Sequence, residues 1–257
     1  MIGIAVNTDA LRKRIIRFFD SYARAQILNF VRHLSAIGEV YVFGGLIRDI
    51  ALFGGKEFNS DIDLVVECSQ VDLDYFFSAC ELLAQRNKFG GYRTILDGWS
   101  VDVWAVEETW AFKEGLVEYS GVESLLSTTV TTWESVLFSF RTRKIISSMD
   151  YLERISRGEL DVVLVENPNR LGVLLKLLKA MCDKRARIVM PGALAYLKVE
   201  LLEYSSVYLE QAQRNALGRV YLDYSSIDDL KWQVRNMNFD LFGSVVDIKG
   251  SNLNIKF

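Results

Sequence analysis

Histidine is almost absent: His33 is the only one in 257 residues. A multi-histidine metal centre is thereby excluded, and a Ser-His-Asp triad has a single candidate base. The three cysteines, Cys68, Cys80 and Cys182, are far apart and form no CxxC pair, which speaks against zinc ribbons and a disulfide framework. Free thiols suit a reducing compartment, so the expectation is a cytoplasmic protein. No apolar run approaches the ~20 residues of a membrane span. The start, Met1-Ile2-Gly3-Ile4-Ala5-Val6-Asn7, lacks the basic and apolar segments of a secretory signal. Two prolines and no glycine repeat exclude collagen-like and linker-rich chains. Neither sign of charge is in large excess: 30 basic residues face 33 acidic ones. A net charge of -3 argues against wholesale wrapping by nucleic acid but leaves room for a local basic groove.

What is present suits a globular protein with a large core: 50% of the residues are hydrophobic, so disorder is excluded. Thr8 or Asp9 caps a predicted helix that runs to about Ser35, with apolar residues from Leu11 to Leu34 at helical spacing. Glu39 to Phe43 reads as a strand, Leu46 to Phe53 as a helix and Ile62 to Val66 as a second strand. Asp72 to Gln85 reads as a helix. Asp97-Gly98 separates two strand-like runs, Tyr92 to Leu96 and Trp99 to Ala105, which predicts a tight hairpin. From Thr131 onward helical patterns dominate, most clearly Leu171 to Cys182 and Ala193 to Tyr208. The fold class is therefore α/β (α+β): an α/β front half and a mainly helical back half.

Three pieces of the front half carry chemistry. Phe43-Gly44-Gly45-Leu46-Ile47-Arg48-Asp49 joins a strand to a helix start. Paired glycines let backbone amides approach an anion, and a helix N-terminus favours one. The plain alternative is a tight turn with an Arg-Asp surface pair. Asp61-Ile62-Asp63 places two carboxylates on one face of a strand, where they repel unless a cation lies between them. Hard divalent ions such as Mg²⁺ take such oxygen ligands. The alternative is a solvated strand edge that carries two acids. Asp102, in Ser100-Val101-Asp102-Val103-Trp104, is either a third carboxylate of a two-metal site or an exposed acid on the polar face of its strand.

Taken together, Gly-Gly-x-x-Arg-Asp, then Asp-x-Asp followed by aliphatics, then a strand aspartate, resemble the head domain of the poly(A) polymerase and CCA-adding tRNA nucleotidyltransferase family. That family is a branch of the polymerase-β-like nucleotidyltransferases. The resemblance implies that Gly44, Gly45 and Arg48 bind the triphosphate of an NTP. It implies that Asp61, Asp63 and Asp102 are catalytic and hold Mg²⁺ (or Mn²⁺). A nucleotidyltransferase head with a mixed sheet, helices on one side, would span 1–145. A helical neck-like region with a short C-terminal extension would span 146–257. Farther on, Glu166-Asn167-Pro168-Asn169-Arg170 is similar to the family's Glu-Asp-x-x-Arg segment, which reads the incoming base. Glu166 and Arg170 match, and Asn167 replaces the aspartate. Its amide both donates and accepts, whereas a carboxylate only accepts, so base selection is expected to differ. The plain alternative there is a helix start. The family's Arg-Arg-Asp motif has no counterpart in Ser127 to Thr132, which carries no charge. The implied reaction moves an NMP from an NTP, ATP among them, to a hydroxyl acceptor. That acceptor is expected to be RNA, a tRNA-like 3′ end, with no membrane partner. The alternative is a catalytically silent nucleotide- or RNA-binding regulatory protein that retains the fold.

Overall fold

The structure is a computed structural model that describes residues 3–56, 58, 60–80, 82–238 and 243–246. Among the described residues, those of Met1–Thr129 with Trp133–Leu152 form one compact unit, and those of Val130–Thr132 with Glu153–Phe257 form another.

The first unit begins with α1 (Thr8–Phe19). Asn7, not Thr8 or Asp9, caps it: the Asn7 side chain accepts from the Ala10 amide at 2.8 Å. The expected single helix to Ser35 is broken after Phe19. A 3₁₀ turn at Tyr22–Arg24 leads into α2 (Ala25–Leu34). The break has two partners. Ser21 Oγ donates to the Phe18 carbonyl at 2.8 Å, and the Asp97 carboxylate caps α2 by accepting from the Gln26 amide at 2.9 Å. Asp97 lies about seventy residues away in sequence, beyond any local pattern.

β1 (Glu39–Phe43), α3 (Gly45–Phe53) and β2 (Ile62–Glu67) follow the pattern read from the sequence. α4 (Gln70–Ala79), capped by Ser69, stops well short of Gln85. Ala84–Arg86 forms an edge strand instead, β3, paired with β4 (Tyr92–Leu96). The pairing aligns Ala84 with Thr94, and Thr94 Oγ1 bonds the Leu83 carbonyl at 2.9 Å. β5 (Trp99–Ala105) completes the hairpin, with Asp97 and Gly98 at φ 50° and 79°, as a type I′ turn requires. After the short α5 (Trp110–Lys113), β6 (Val136–Ser139) and β7 (Ile145–Ser147) extend the sheet into the part of the chain expected to be helical. The sheet order is β3-β4-β5-β2-β1-β6-β7, mixed because β2 and β5 are parallel while the other neighbours are antiparallel.

One face of this sheet is buried by α1 to α4. Val40, Val42, Ile62, Leu64, Val66, Val101 and Val103 point there and are at most 1% exposed. The opposite face is covered only in part. Tyr41, Val65 and Leu137 pack there with Val106, Val122 and Leu125 from the segment after β5. Alternation along β2 and β5 puts Asp63 and Asp102 on that same face, one step beyond Val65 and Trp104.

The second unit takes in most of α6 (Tyr151–Arg157), then β8 (Glu159–Leu160), α7 (Arg170–Asp183), β9 (Ile188–Val189) and α8 (Pro191–Glu203). α9 (Ser206–Leu217), α10 (Tyr224–Asn236) and β10 (Ser244–Val245) complete it. The helix expected over Ala193 to Tyr208 is two helices, because Ser205 caps α9 by accepting from the Tyr208 amide at 3.2 Å. β8, β9 and β10 form a small sheet, and Val130 and Thr132 bond Val163 and Asp161 at 3.0 Å. Most of the expected C-terminal extension lies outside the described residues. Among the described residues no helix is long and apolar enough to cross a membrane.

Candidate active site

The glycine turn ends β1 and starts α3. Gly44 has φ +68° and ψ -112°, a backbone state that L side chains rarely adopt, and its amide donates to the Val136 carbonyl at 2.9 Å. A Cβ at Gly44 would meet the Glu134 carbonyl oxygen at 3.4 Å, an ordinary contact, so it is the positive φ rather than crowding that favours glycine here. The amides of Gly45, Leu46 and Ile47 form the first turn of α3, where a helix has no acceptors of its own.

Arg48 folds back over this turn. Its Nε donates to Asp49 Oδ1 at 2.8 Å and its Nη1 to Glu134 Oε1 at 2.9 Å. The side chains of Arg48, Asp49 and Glu134 are only 15%, 2% and 16% exposed. Burial by itself lowers the guanidinium pKa, but the Asp49 and Glu134 charges outweigh it and hold the pKa above the usual value. Tyr151 lies against the same charges. Its hydroxyl donates to the Trp133 carbonyl at 3.0 Å, and burial pushes its pKa far up. Arg48 is therefore a buried pin between two carboxylates. Glu134 escapes sequence reading because it reaches Arg48 across 86 residues.

The carboxylates gather on the open face. Asp63 and Asp102 are direct partners in the parallel β2–β5 pair, and Asp61 immediately precedes β2. A fourth residue joins them. Arg93 on β4 is aligned with Asp102 and grips it in a fork, Nε to Oδ1 at 2.8 Å and Nη2 to Oδ2 at 2.5 Å. The same Nη2 reaches Asp61 Oδ2 at 3.4 Å. Its hydrogen bonds to Asp102 raise the Arg93 pKa, with the charges of Asp102, Asp61 and Asp63 adding to them against a smaller opposing effect of burial. Sequence reading missed Arg93, although a signal existed: counting outward from the two-residue turn Asp97-Gly98 places Arg93 opposite Asp102.

Do these residues fit a divalent metal? The donors are hard carboxylate oxygens, and a positive group, the Arg93 guanidinium, already lies between two of them, so the place suits a cation. Among the described residues, however, no three acidic, histidine or cysteine side chains converge closely enough to chelate an ion as they stand.

Asn167 and Arg170 belong to the second unit. Arg170 opens α7, which is capped by Asn169 through the Gly172 amide at 2.9 Å. Asn167 therefore precedes the helix, and its Oδ1 accepts from the Asn169 amide at 2.9 Å. Arg170 is bound by Glu200, with Nε to Oε1 at 2.8 Å, and Tyr196 Oη donates to the Arg170 carbonyl at 3.1 Å. Glu200 is 2% exposed, and its second oxygen has no hydrogen-bond partner.

A mixed sheet with helices on one face, carboxylates at the open end of the other and a glycine turn feeding a helix N-terminus is the architecture of a nucleotidyltransferase head. More particularly, over most of its length the chain has the fold of the CCA-adding tRNA nucleotidyltransferases. It is similar to a CCA-adding enzyme solved in complex with CTP, with TM-score 0.60 and 20% identity over 88% of this chain and 54% of that one. The Thermotoga maritima CCA-adding enzyme complexed with tRNA matches with TM-score 0.58 and 18% identity, covering 91% of this chain and 55% of that one. A tRNA nucleotidyltransferase complexed with a primer tRNA and an incoming ATP analogue matches with TM-score 0.55 and 18% identity, over 77% and 57%. The chain thus spans about half the length of the solved chains it matches. No protein-family profile and no curated protein matches its sequence.

Proposed function

We propose that this chain is a metal-dependent nucleotidyltransferase that moves an NMP from an NTP to a hydroxyl acceptor, RNA with a tRNA-like 3′ end, and releases pyrophosphate. The observation that carries the proposal is the pairing of Asp63 with Asp102, beside Asp61, on the open face of a sheet with the fold of the CCA-adding enzymes. Asp61, Asp63 and Asp102 are the residues that would hold Mg²⁺ or Mn²⁺. When bound, such ions stabilise charge on the leaving pyrophosphate and lower the pKa of the attacking hydroxyl.

The chain's own groups supply the rest. The first-turn amides of α3 meet the triphosphate, and Gly44 lets the backbone come close to it. Arg48 acts by bracing that turn, since Asp49 and Glu134 already take its charged bonds. The acceptor oxygen bonds the α-phosphorus as the bond to the β-phosphate oxygen breaks, and the proton of the acceptor passes to a carboxylate oxygen of Asp102. Asn167 and Arg170 carry base selection, with Glu200 fixing the guanidinium of Arg170.

Incubation with each labelled NTP, Mg²⁺ or Mn²⁺ and total RNA tests the proposal. Labelled RNA and pyrophosphate are expected, and Asp61→Ala or Asp63→Ala should abolish both while leaving the circular dichroism spectrum intact. Full turnover in both variants sinks the reading. A silent nucleotide- or RNA-binding protein is the second reading. It is favoured by the lack of a preformed chelating group among the described residues and by the uncharged stretch Ser127 to Thr132. It predicts binding with no labelled product.

A further inference from the structure

A cation that bridged Asp61 and Asp102 would need the volume that the Arg93 side chain fills. Arg93 Nη2 lies 2.5 Å from Asp102 Oδ2 and 3.4 Å from Asp61 Oδ2, while Nε occupies the other oxygen of Asp102 at 2.8 Å. Magnesium takes oxygen ligands at about 2.0–2.1 Å. An ion that close to both carboxylates would overlap Nη2 and be repelled by its charge. The two cations therefore exclude each other from the bridging position.

Exposure decides which of them can move. The Arg93 side chain is 55% exposed and that of Asp61 50%, whereas Asp102 is 17% exposed and fixed in the middle of β5. Arg93 has a long stem on the hairpin strand β4 and can swing into solvent without opening the core. A buried guanidinium such as Arg48 has no such exit. With Arg93 in place, the mutual repulsion of Asp61, Asp63 and Asp102 is relieved in the absence of metal.

The geometry points to Arg93 as a built-in competitor for the metal, a tethered cation that holds Asp61 and Asp102 until a divalent ion displaces it. The inference rests on the reading of the three carboxylates as metal ligands. It adds that metal binding is opposed by the chain itself, so that the free protein binds metal more weakly than its carboxylates allow. A half-exposed ion pair is a modest competitor, which sets the scale at about five-fold in apparent affinity.

The test is Mn²⁺ binding to the full chain without nucleotide, followed by the electron paramagnetic resonance signal of free Mn²⁺ at fixed ionic strength. Arg93→Ala should bind Mn²⁺ about five-fold more tightly than the parent, and Arg93→Lys should fall between the two. Mn²⁺ should also raise the melting temperature of Arg93→Ala more than that of the parent, because the metal-free variant has lost its internal counter-charge. Arg93→Gln, similar in reach and neutral, repeats the measurement should Arg93→Ala fail to fold. If the parent binds Mn²⁺ and the neutral variants bind it equally or more weakly, the competition is refuted and Arg93 instead holds Asp102 in place for the ion. If neither parent nor variants bind Mn²⁺, the metal-ligand reading fails, and the competition fails with it.

Discussion

Removal of the Arg48 guanidinium distinguishes a pin from a ligand. In the folded protein it is ion-paired with Asp49, 2% exposed, and with Glu134, 16% exposed. Arg48→Ala leaves two nearly buried carboxylates without it. Breaking a buried pair by removing one partner costs about 3–5 kcal/mol. For a unit of this size that corresponds to a fall in melting temperature of roughly 6–20 °C. Tryptophan fluorescence is a suitable probe, since Trp99, Trp104, Trp110 and Trp133 lie in the first unit and only Trp232 in the second. Arg48→Lys should recover part of the loss, because a single ammonium keeps the charge without the fork that spans both acids. The combination Arg48→Met, Asp49→Asn and Glu134→Gln should be milder than Arg48→Ala alone, because it removes the two carboxylate charges together with the cation that neutralises them. A melting temperature for Arg48→Ala within about 2 °C of the parent, accompanied by loss of NTP affinity, would refute the reasoning and make Arg48 a free phosphate ligand.

Two further outcomes are expected. Burial pushes the Cys68 thiol up to about 11 and the Cys182 thiol up to about 12, with Asp72 and Asp183 adding smaller contributions. Unfolded cysteine ionises near about 8.5, so above that pH the unfolded chain has released protons that the folded chain still holds. The contribution of these thiols to stability is therefore complete below about pH 8.5 and declines as pH rises toward 11–12. Melting curves across this window should show a shallower decline for the Cys68→Ala/Cys182→Ala double variant than for the parent, and parallel declines would contradict the assignment. Separately, Asn167→Asp should change the preference among the four NTPs while leaving metal dependence alone, since a carboxylate cannot donate to a base edge. An unchanged NTP profile would leave the segment before α7 as an ordinary helix start.

Local pattern was enough for the elements that frame the site. Glu39–Phe43 is a strand because β-branched and aromatic residues sit between a glycine and a glycine pair. The hairpin Tyr92–Leu96 and Trp99–Ala105 follows from alternation about Asp97-Gly98, where positive φ is needed at both positions. The carboxylates of Asp61, Asp63 and Asp102 were legible as residue types at strand spacing, and so was the glycine turn before α3.

Tertiary structure decided the rest, because the partners are remote and no local window contains them. α2 starts where it does because Asp97, from the hairpin, accepts its first amides, and the apolar spacing of residues 11–34 carries no trace of that interruption. Ala84 and Gln85 are helical by periodicity and lie in a strand by pairing, since the free edge of β4 offers hydrogen bonds that one more helical turn does not replace. Arg48 reads in the sequence either as a triphosphate ligand beside the glycine turn or as half of an Arg-Asp surface pair. Glu134, delivered by the approach to β6, turns it inward. Arg93 stands opposite Asp102 by hairpin register, but only the parallel alignment of β5 with β2 brings Asp61 and Asp63 into its field. Alternation along a strand assigns a carboxylate to a face; which cation meets it there depends on which strand lies alongside.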